Sequence, residues 1–427
     1  RALEDELRRF SVPEEEYAEL LRRQRRESAG ERPSVRVDSI AIEGIRRVPL
    51  ERVRRRIETR EGEPLSFRTL GLDLQRVYQL GDFESVQYRI ERGDSGNRLV
   101  LEAREKPWGP GYLRFGFALA SDFEGDNTFR VIGHFRRPNV NRLGAEWKTV
   151  VALGNPLDAM TEFYQPLGAG GSWFVAPRFA WERDRRDAYL ENGEREGLKT
   201  GRTTGGLDVG IQMGSHGEIR LGVLRGRVRL EPTTDTTVAP SARAIGGPRF
   251  RAAIDVLDDT FFPTRGNRTT LEAFLSRGRL GADEKYETLA FEVLQAGTLG
   301  RNTLVGKVDF GTGFGSTLPY HAQQELGGFL ELSGLPRGYL RGDVRLLISL
   351  TDYWRVRKLG ALGKLYVGAA IQAGNVWAAG DDPTLADLVH SGTILAGLST
   401  DGLPVLLGVG FAEAGNRAAY FLVGRAF

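Results

Sequence analysis

Large apolar residues alternate with small or polar residues through most of the chain, from residue 111 to residue 427. Segment 112–121 is typical, because phenylalanine and leucine side chains occupy one parity while mainly Arg, Gly and Ala occupy the other. Turn sequences such as Gly154-Asn155-Pro156 separate these segments. Successive side chains of a strand point to opposite faces, so the pattern predicts many strands that are apolar on one face.

The number and length of these strands favour a membrane barrel. The other alternating segments are 129–136, 173–182, 218–224, 268–276, 285–295, 303–312, 343–354, 364–377, 404–412 and 417–427. About sixteen strands of roughly ten residues fit the region, and bacterial transmembrane barrels have even strand numbers. No helix is predicted between them, and Arg and Glu fall on the small-residue parity, which a water-filled lumen accepts. A large soluble β-sandwich, whose strands also alternate, is the alternative fold.

Residues 34–106 predict a separate small domain. A β-branched run covers 35–42, and apolar residues at helical spacing follow over 50–57 and 67–77. Gly81 is placed to end the second helix, and alternating strands follow at 86–90 and 99–101. The order strand, helix, helix, strand, strand leaves one apolar face on each element, which predicts an α+β domain.

Residues 1–33 predict a helical connector. Leu3, Leu7 and Phe10 recur at helical spacing, and Ser11 with Glu14 forms a capping-box pattern. Charged residues are much denser in 1–106 than in 107–427, and a Pro/Gly stretch at 106–110 separates the two parts. We therefore predict a connector at 1–33, the α+β domain at 34–106 and the barrel at 107–427. Because the first residue is Arg1, we expect an upstream domain.

Composition excludes several classes of site. The net charge is only +3, and this balance does not mark a nucleic-acid binder, which would show a clustered basic excess. The chain has no Cys, so disulfides, thiolate metal sites and Cys nucleophiles are excluded. Its four His are far apart, so we predict no metal and no cofactor. The longest uncharged run, 365–380, is shorter than the ~20 residues of a transmembrane helix.

Three motifs carry a family resemblance. The motifs are Leu80-Gly81-Asp82-Phe83-Glu84-Ser85-Val86, the turn 258–266 with sequence DDTFFPTRG, and Gly327-Gly328 followed by Leu335-Pro336-Arg337-Gly338-Tyr339-Leu340-Arg341-Gly342-Asp343. They resemble the superfamily of BamA, TamA and two-partner secretion transporters, in which periplasmic POTRA domains precede a sixteen-stranded outer-membrane barrel. The resemblance implies a Gram-negative outer-membrane location, with the POTRA domain and the connector in the periplasm.

The third motif resembles the tip of a long loop that folds back into the barrel. The resemblance implies a lumen plug built from Gly327, Gly328, Arg337, Gly338, Tyr339 and Asp343. It implies Asp352 and Gln372 as inner-wall partners, although Ala370 and Gln372 depart from the usual aromatic and acidic residues. A buried Arg is stable when it is paired, so we expect a bidentate Arg337–Asp352 ion pair to pin the loop.

The connector narrows the resemblance to one group of these transporters. Residues 7–12 and 16–17 resemble the segment that follows the catalytic domain in patatin-like autotransporters of type Vd, which carry a lipase, one POTRA domain and a barrel. This implies an upstream patatin-like lipase in cis, contact with outer-membrane lipids, and display or secretion of the lipase, and it leaves a homodimer open. The last strand, with Tyr420, Leu422 and Phe427, resembles the signal that the barrel-assembly machinery recognises.

No catalytic motif is found in these 427 residues. A patatin lipase needs Gly-x-Ser-x-Gly around its nucleophile, and this pattern is absent. The adjacent Asp258 and Asp259 face opposite ways on an extended chain, which suits a turn better than acid–base catalysis. We therefore expect no catalytic residue in these 427 residues, although the parent protein resembles a patatin-like phospholipase. The alternative functions are an assembly factor of the BamA or TamA type, a two-partner secretion transporter, and a soluble all-β binding protein.

Overall fold

A computed structural model provides the structure of the chain. It describes residues 13, 16, 17, 19, 35–46, 48–93, 96–106, 111–123, 127–141, 143–167, 172–189, 195–214, 216–233, 239–360, 363–400 and 403–424. Most of the predicted connector, and Phe427, lie outside these described residues. The chain divides into two compact units, Arg1–Pro107 and Trp108–Phe427.

Residues 35–106 of the first unit form a three-stranded sheet with two helices. In chain order its elements are β1 (Ser39–Glu43), α1 (Leu50–Arg54), α2 (Phe67–Tyr78), β2 (Phe83–Gly93) and β3 (Gly96–Glu105). The central strand β3 pairs in parallel with β1 and antiparallel with β2. This is the predicted order, but β1 begins four residues later than predicted, because Arg36 makes only an isolated bridge to Pro64.

Helix α2 joins the core of this unit through its apolar face. Its N-cap Ser66 accepts a hydrogen bond from the Thr69 N–H, and Leu70 and Val77 are fully buried. Asp73 lies on the same helix and is also buried. Its carboxylate accepts backbone N–H bonds from Glu58 and Thr59 at 2.9 and 3.0 Å, so α2 fixes the loop after α1.

The second unit is a closed antiparallel barrel of sixteen strands, as predicted. The strands in chain order are β4 (Tyr112–Ser121), β5 (Asn127–Arg137), β6 (Glu146–Gly154), β7 (Leu157–Leu167), β8 (Trp173–Tyr189), β9 (Arg195–Met213), β10 (Gly217–Pro232), β11 (Ser241–Asp255), β12 (Gly266–Ser276), β13 (Tyr286–Leu299) and β14 (Asn302–Thr312), then, after the short hairpin β15 (Gln324–Leu326) and β16 (Leu340–Gly342), β17 (Val344–Lys358), β18 (Lys364–Trp377), β19 (Val389–Ser399), β20 (Val405–Ala412) and β21 (Arg417–Gly424). The hairpin stands apart from the barrel wall as a separate two-stranded sheet.

The barrel wall is apolar outside and polar inside. Phe115, Leu221 and Ile371 on the outer face are 70%, 62% and 66% exposed. On the inner face, Arg220 is buried and binds Glu162 at 2.6 Å. An apolar band of this size needs lipid around it, so the barrel spans a membrane. No helix among the described residues is long and apolar enough to cross a bilayer.

The two ends of the barrel differ in their connections. We call the end where β4 begins, at Tyr112, the proximal end, and the opposite end the distal end. Because the strands are antiparallel, the connection 313–343 between β14 and β17 starts at the distal end, and the turn 256–265 between β11 and β12 is proximal. We call residues 313–343 the lumen loop.

Candidate functional site in the barrel lumen

The lumen loop is held against the inner wall by buried hydrogen bonds. The Ser333 N–H donates to Gln372 Oε1 at 3.0 Å, and the Gly334 N–H donates to the Tyr420 hydroxyl oxygen at 2.8 Å. Gln372 Oε1 also accepts from the Ser391 hydroxyl at 2.6 Å. The middle of the loop therefore bonds to β18 and β21, and Ser391 on β19 bonds to the same Gln372 side chain.

Small inner-wall residues make room for the loop. A Cβ on Gly410 would lie 2.5 Å from the Cβ of Ser333, and a Cβ on Gly408 would lie 2.5 Å from Cε2 of Phe329. The Phe329 ring packs on Tyr420 with centroids 5.0 Å apart. The loop therefore fits only where β20 carries glycine on its inner face.

Leucines give the loop an apolar core of its own. Leu326, Leu332 and Leu335 are buried and pack with Leu347 on the inner face of β17. The loop thus brings its own apolar surface into the lumen. Burial of leucine stabilises by about 1.5–3 kcal/mol per side chain, so the loop is a packed element.

Asp343 joins the loop to the barrel rim. Its Oδ1 accepts from the Leu318 N–H at 2.6 Å and its Oδ2 from the Ala379 N–H at 2.8 Å. Next to it, Arg341 bonds to Glu325 and lies over the Tyr320 ring, with Cζ 3.9 Å from the centroid. Asp343 therefore acts at the base of the loop, away from its tip.

Glycines shape the tip. Gly327, Gly328 and Gly338 all have positive φ, at 129°, 104° and 70°. A Cβ on Gly327 would collide with the Pro336 carbonyl oxygen, so the two arms of the loop cross closely there. The Tyr339 ring contacts a second tyrosine on β8, with centroids 5.4 Å apart. Left-handed backbone of this kind favours glycine, which explains these motif positions.

The expected Arg337–Asp352 ion pair is wrong. Tyr353 faces the lumen and is buried, so its neighbour Asp352 lies on the outward parity of β17 with Ile348 and Leu350. Asp352 Oδ2 accepts instead from Asn302 Nδ2 at 3.3 Å. Arg337 is exposed at the loop tip, and the described residues contain no ion pair that includes it. A shift of one residue along a strand reverses the face, and the sequence motif does not show which face is inside.

The turn 256–265 closes part of the proximal end. Phe262 stacks on Tyr366 with ring centroids 4.8 Å apart, and the Tyr353 hydroxyl donates to the Pro263 carbonyl oxygen. Asp258 Oδ1 accepts from the Thr264 N–H at 2.7 Å, and Asp259 accepts from backbone N–H groups in the same turn. Both carboxylates therefore have structural roles in the turn.

The barrel closes through a short seam. β21 pairs with β4 at four positions, Phe421↔Ser121 to Gly424↔Ala118, whereas β4 and β5 share ten. Gly424 has φ +116°, and a Cβ there would collide with the Phe117 carbonyl oxygen. Among the described residues, this seam has the fewest register pairs of any two adjacent barrel strands.

Two of the predicted C-terminal signal residues, Tyr420 and Leu422, lie on β21. Tyr420 is buried and contacts the lumen loop, and Leu422 shares its inward parity. The sequence analysis assigned Tyr420 to recognition by an assembly machinery and missed its contact with the loop. It also missed Ser333, Gly408 and Gly410, for which alternating glycines on β20 were the available signal.

The described residues hold no cluster of three or more acidic or His side chains placed for a metal ion. Their polar groups form structural ion pairs, such as Lys307 Nζ with Glu331 at 3.1 Å. The site therefore supports a conformational change, because the loop is docked by a few hydrogen bonds and lies beside a short seam. These features define a transmembrane β-barrel with an inserted loop.

Comparisons with known proteins agree with this class. Residues 35–106 match the POTRA family, described as surface antigen variable number repeat. Over 71 residues the chain is 30% identical to the outer membrane protein assembly factor BamA of Nitratidesulfovibrio vulgaris, a match that covers 17% of this chain and 9% of that protein.

Solved structures resemble the whole fold. BamA from Haemophilus ducreyi lacking POTRA domains 1–3 aligns with TM-score 0.70 and 15% identity over 92% of this chain and 85% of that chain. CdiB from Acinetobacter baumannii aligns with TM-score 0.58 and 9% identity over 92% of this chain and 74% of that chain. CdiB from Escherichia coli aligns with TM-score 0.58 and 14% identity, over 92% and 77%. The fold is a POTRA domain followed by a 16-stranded barrel.

Proposed function

We propose that this chain handles polypeptides in the outer membrane of a Gram-negative bacterium, through coupled movement of the lumen loop and the seam. The observation that carries this proposal is the position of the loop. Its middle binds β18 and β21, and β21 is the strand that closes the seam with four pairs. Release of the Gly334–Tyr420 hydrogen bond would loosen β21 and open a path through the lumen or between the strands.

For the particular role, we propose the membrane module of a patatin-like autotransporter that displays or secretes an upstream lipase. The single POTRA match and the similarity of residues 7–17 to the connector of those proteins support this role. The POTRA domain would lie in the periplasm and present an edge of β2 to the passenger, since among the described residues β2 pairs only with β3.

The second candidate is an assembly factor or two-partner secretion transporter that acts on other chains. The likeness of the fold to BamA and CdiB favours it. An immunoblot of outer membranes with antibody against residues 34–106 separates the two. A band about 30 kDa or more above the 47.2 kDa of this chain supports a fused passenger domain, and a band near 47 kDa without a secreted lipase favours the second candidate.

A disulfide across the seam tests the shared mechanism. Ala120 and Leu422 are register partners across it, and the chain has no Cys of its own. Oxidised Ala120→Cys/Leu422→Cys should lose delivery of the passenger or of client proteins, and reductant should restore it. The control is Leu406→Cys/Leu422→Cys, which joins register partners on β20 and β21 and leaves the seam free. Full activity with the seam locked would refute the mechanism.

A further inference from the structure

Arginines project from the outer face of the barrel near its distal end. We define the distal arginine patch as Arg183, Arg185, Arg225, Arg227, Arg229 and Arg279. The β10 members, Arg225, Arg227 and Arg229, continue the outward parity of Ile219, Leu221 and Val223. All six side chains are exposed. Their position is unusual because barrel strands normally carry charge on the lumen face.

The patch is one surface, as the strand register shows. Arg183 on β8 and Arg229 on β10 are both register partners of Gly201 on β9, which lies between them. Because Gly201 has no side chain, no side chain of β9 separates the two arginines in this row. Arg227 and Arg225 follow at the next two outward positions of β10, toward the membrane.

The patch lacks the acidic partners that the lumen arginines have. Arg220 on the inner wall binds Glu162 and Glu218, and Arg136 binds Glu146. By contrast, none of the six patch side chains forms an ion pair with any residue that the structure describes. Glu231, the next outward residue of β10, is exposed and pairs with none of these arginines. The patch therefore carries a surplus of positive charge that an external anion fits.

The patch begins where the apolar band ends. On β10 the sequence of outward residues passes from Val223 directly to Arg225, and on β8 from Trp181 to Arg183. Through Thr203, Trp181 shares a register row with Arg227, whereas Arg225 shares a row with the apolar Phe179. Trp is enriched at the membrane interface, so the row of Arg227 corresponds to lipid head groups and Arg225 lies one outward position deeper. The arginines therefore lie where phosphates of the distal leaflet would lie.

A cavity lies directly beneath these arginines. The turn after β12 folds over the outer face, because a Cβ on Gly246 would collide with the Leu280 carbonyl oxygen. The turn and the wall border a cavity of about 560 Å³ that is open to the outside, lined by Leu207, Val223 and Leu280 and by Arg225 and Arg279. This volume is within the range of small-molecule sites, and its wall continues the apolar band.

We propose that this surface binds an anionic membrane lipid whose net negative charge lies on phosphate, with the phosphate on the distal arginine patch and an acyl chain in the cavity. Arg presents a planar set of donors that matches phosphate in bidentate geometry. Basic side chains at a membrane surface attract anionic lipids. The cavity wall then supplies the apolar contact that a free phosphate cannot use.

Native mass spectrometry of the detergent-purified chain tests this proposal. Dioleoylphosphatidic acid should bind, and zwitterionic dioleoylphosphatidylcholine and inorganic phosphate should bind at least tenfold more weakly. Arg225→Gln/Arg227→Gln/Arg229→Gln should weaken binding of phosphatidic acid about tenfold or more, since each charge-assisted hydrogen bond contributes more than a neutral one. A gel shift on heating shows that each variant is folded.

Two further variants separate the site from general charge attraction. Arg55→Gln/Arg56→Gln/Arg68→Gln removes the same charge from exposed positions of the first unit and should leave binding unchanged. Gly205→Leu places an apolar side chain in the cavity at a position where nothing lies within 4 Å of the Cβ, and it should weaken lipid binding with all arginines kept. Unchanged binding in the β10 variant or in Gly205→Leu, or equal binding of inorganic phosphate, would overturn the proposal.

Discussion

Replacement of Gln372 by Leu should release the lumen loop. Gln372 is 3% exposed, and its side chain bonds to Ser333, Ser391 and Thr393 at 3.0, 2.6 and 3.1 Å. Leu keeps the volume but has no acceptor, so the Ser333 N–H stays unpaired in a site where Ser333 is 0% exposed. An unsatisfied buried donor costs about 1–3 kcal/mol. The undocked population should therefore rise roughly 5- to 150-fold.

Cysteine labelling measures this population. Leu332 is fully buried in the docked loop, and the chain has no Cys, so Leu332→Cys provides one thiol that reacts only when the loop leaves the wall. Labelling by a maleimide should accelerate by the predicted factor when Gln372→Leu is added to the Leu332→Cys chain. Conductance in planar bilayers should also show longer open events.

Two controls define what would refute this reasoning. Gln372→Glu keeps an oxygen acceptor for Ser333 and should label at nearly the parent rate. Ile371→Ala changes the adjacent, 66% exposed residue on the lipid face and should not change the rate. If folded Gln372→Leu labels as slowly as its parent, the hydrogen bond to Ser333 does not hold the loop.

Three more results are expected. Gly424→Val should prevent the last strand from approaching Phe117 and reduce the heat-resistant barrel fraction on gels. Asp73→Ala should destabilise the first unit by about 1.5–3 kcal/mol in urea unfolding, because the Glu58 and Thr59 N–H groups lose a buried, charged acceptor. Slight burial of Asp258 opposes ionisation, but hydrogen bonds from Thr264 and its neighbour lower its pKa. The stability from this turn is thus complete above pH ~4 and lost as pH falls through the lowered pKa, and Asp258→Asn should remove that step in acid unfolding.

The alternation of apolar and polar residues was sufficient to predict the architecture. The direction of side chains on a strand repeats every two residues, so a lipid-facing band and a water-filled lumen produce an alternating pattern in the local sequence. The same holds for the first unit, where apolar residues at helical spacing identified the buried face of α2 with Leu70 and Val77. These are local properties, and each requires only the residue and its near neighbours.

The partners of the lumen loop depended on tertiary structure. Asp352 was expected to face Arg337, yet the register of β17 places Tyr353 inside and Asp352 outside. Ser333 meets Gln372 and Gly334 meets Tyr420, across 39 and 86 residues of chain. Such contacts follow from barrel closure and from the depth to which the loop inserts. Neither is encoded by the spacing of residues within one segment, because register is set by pairing between strands.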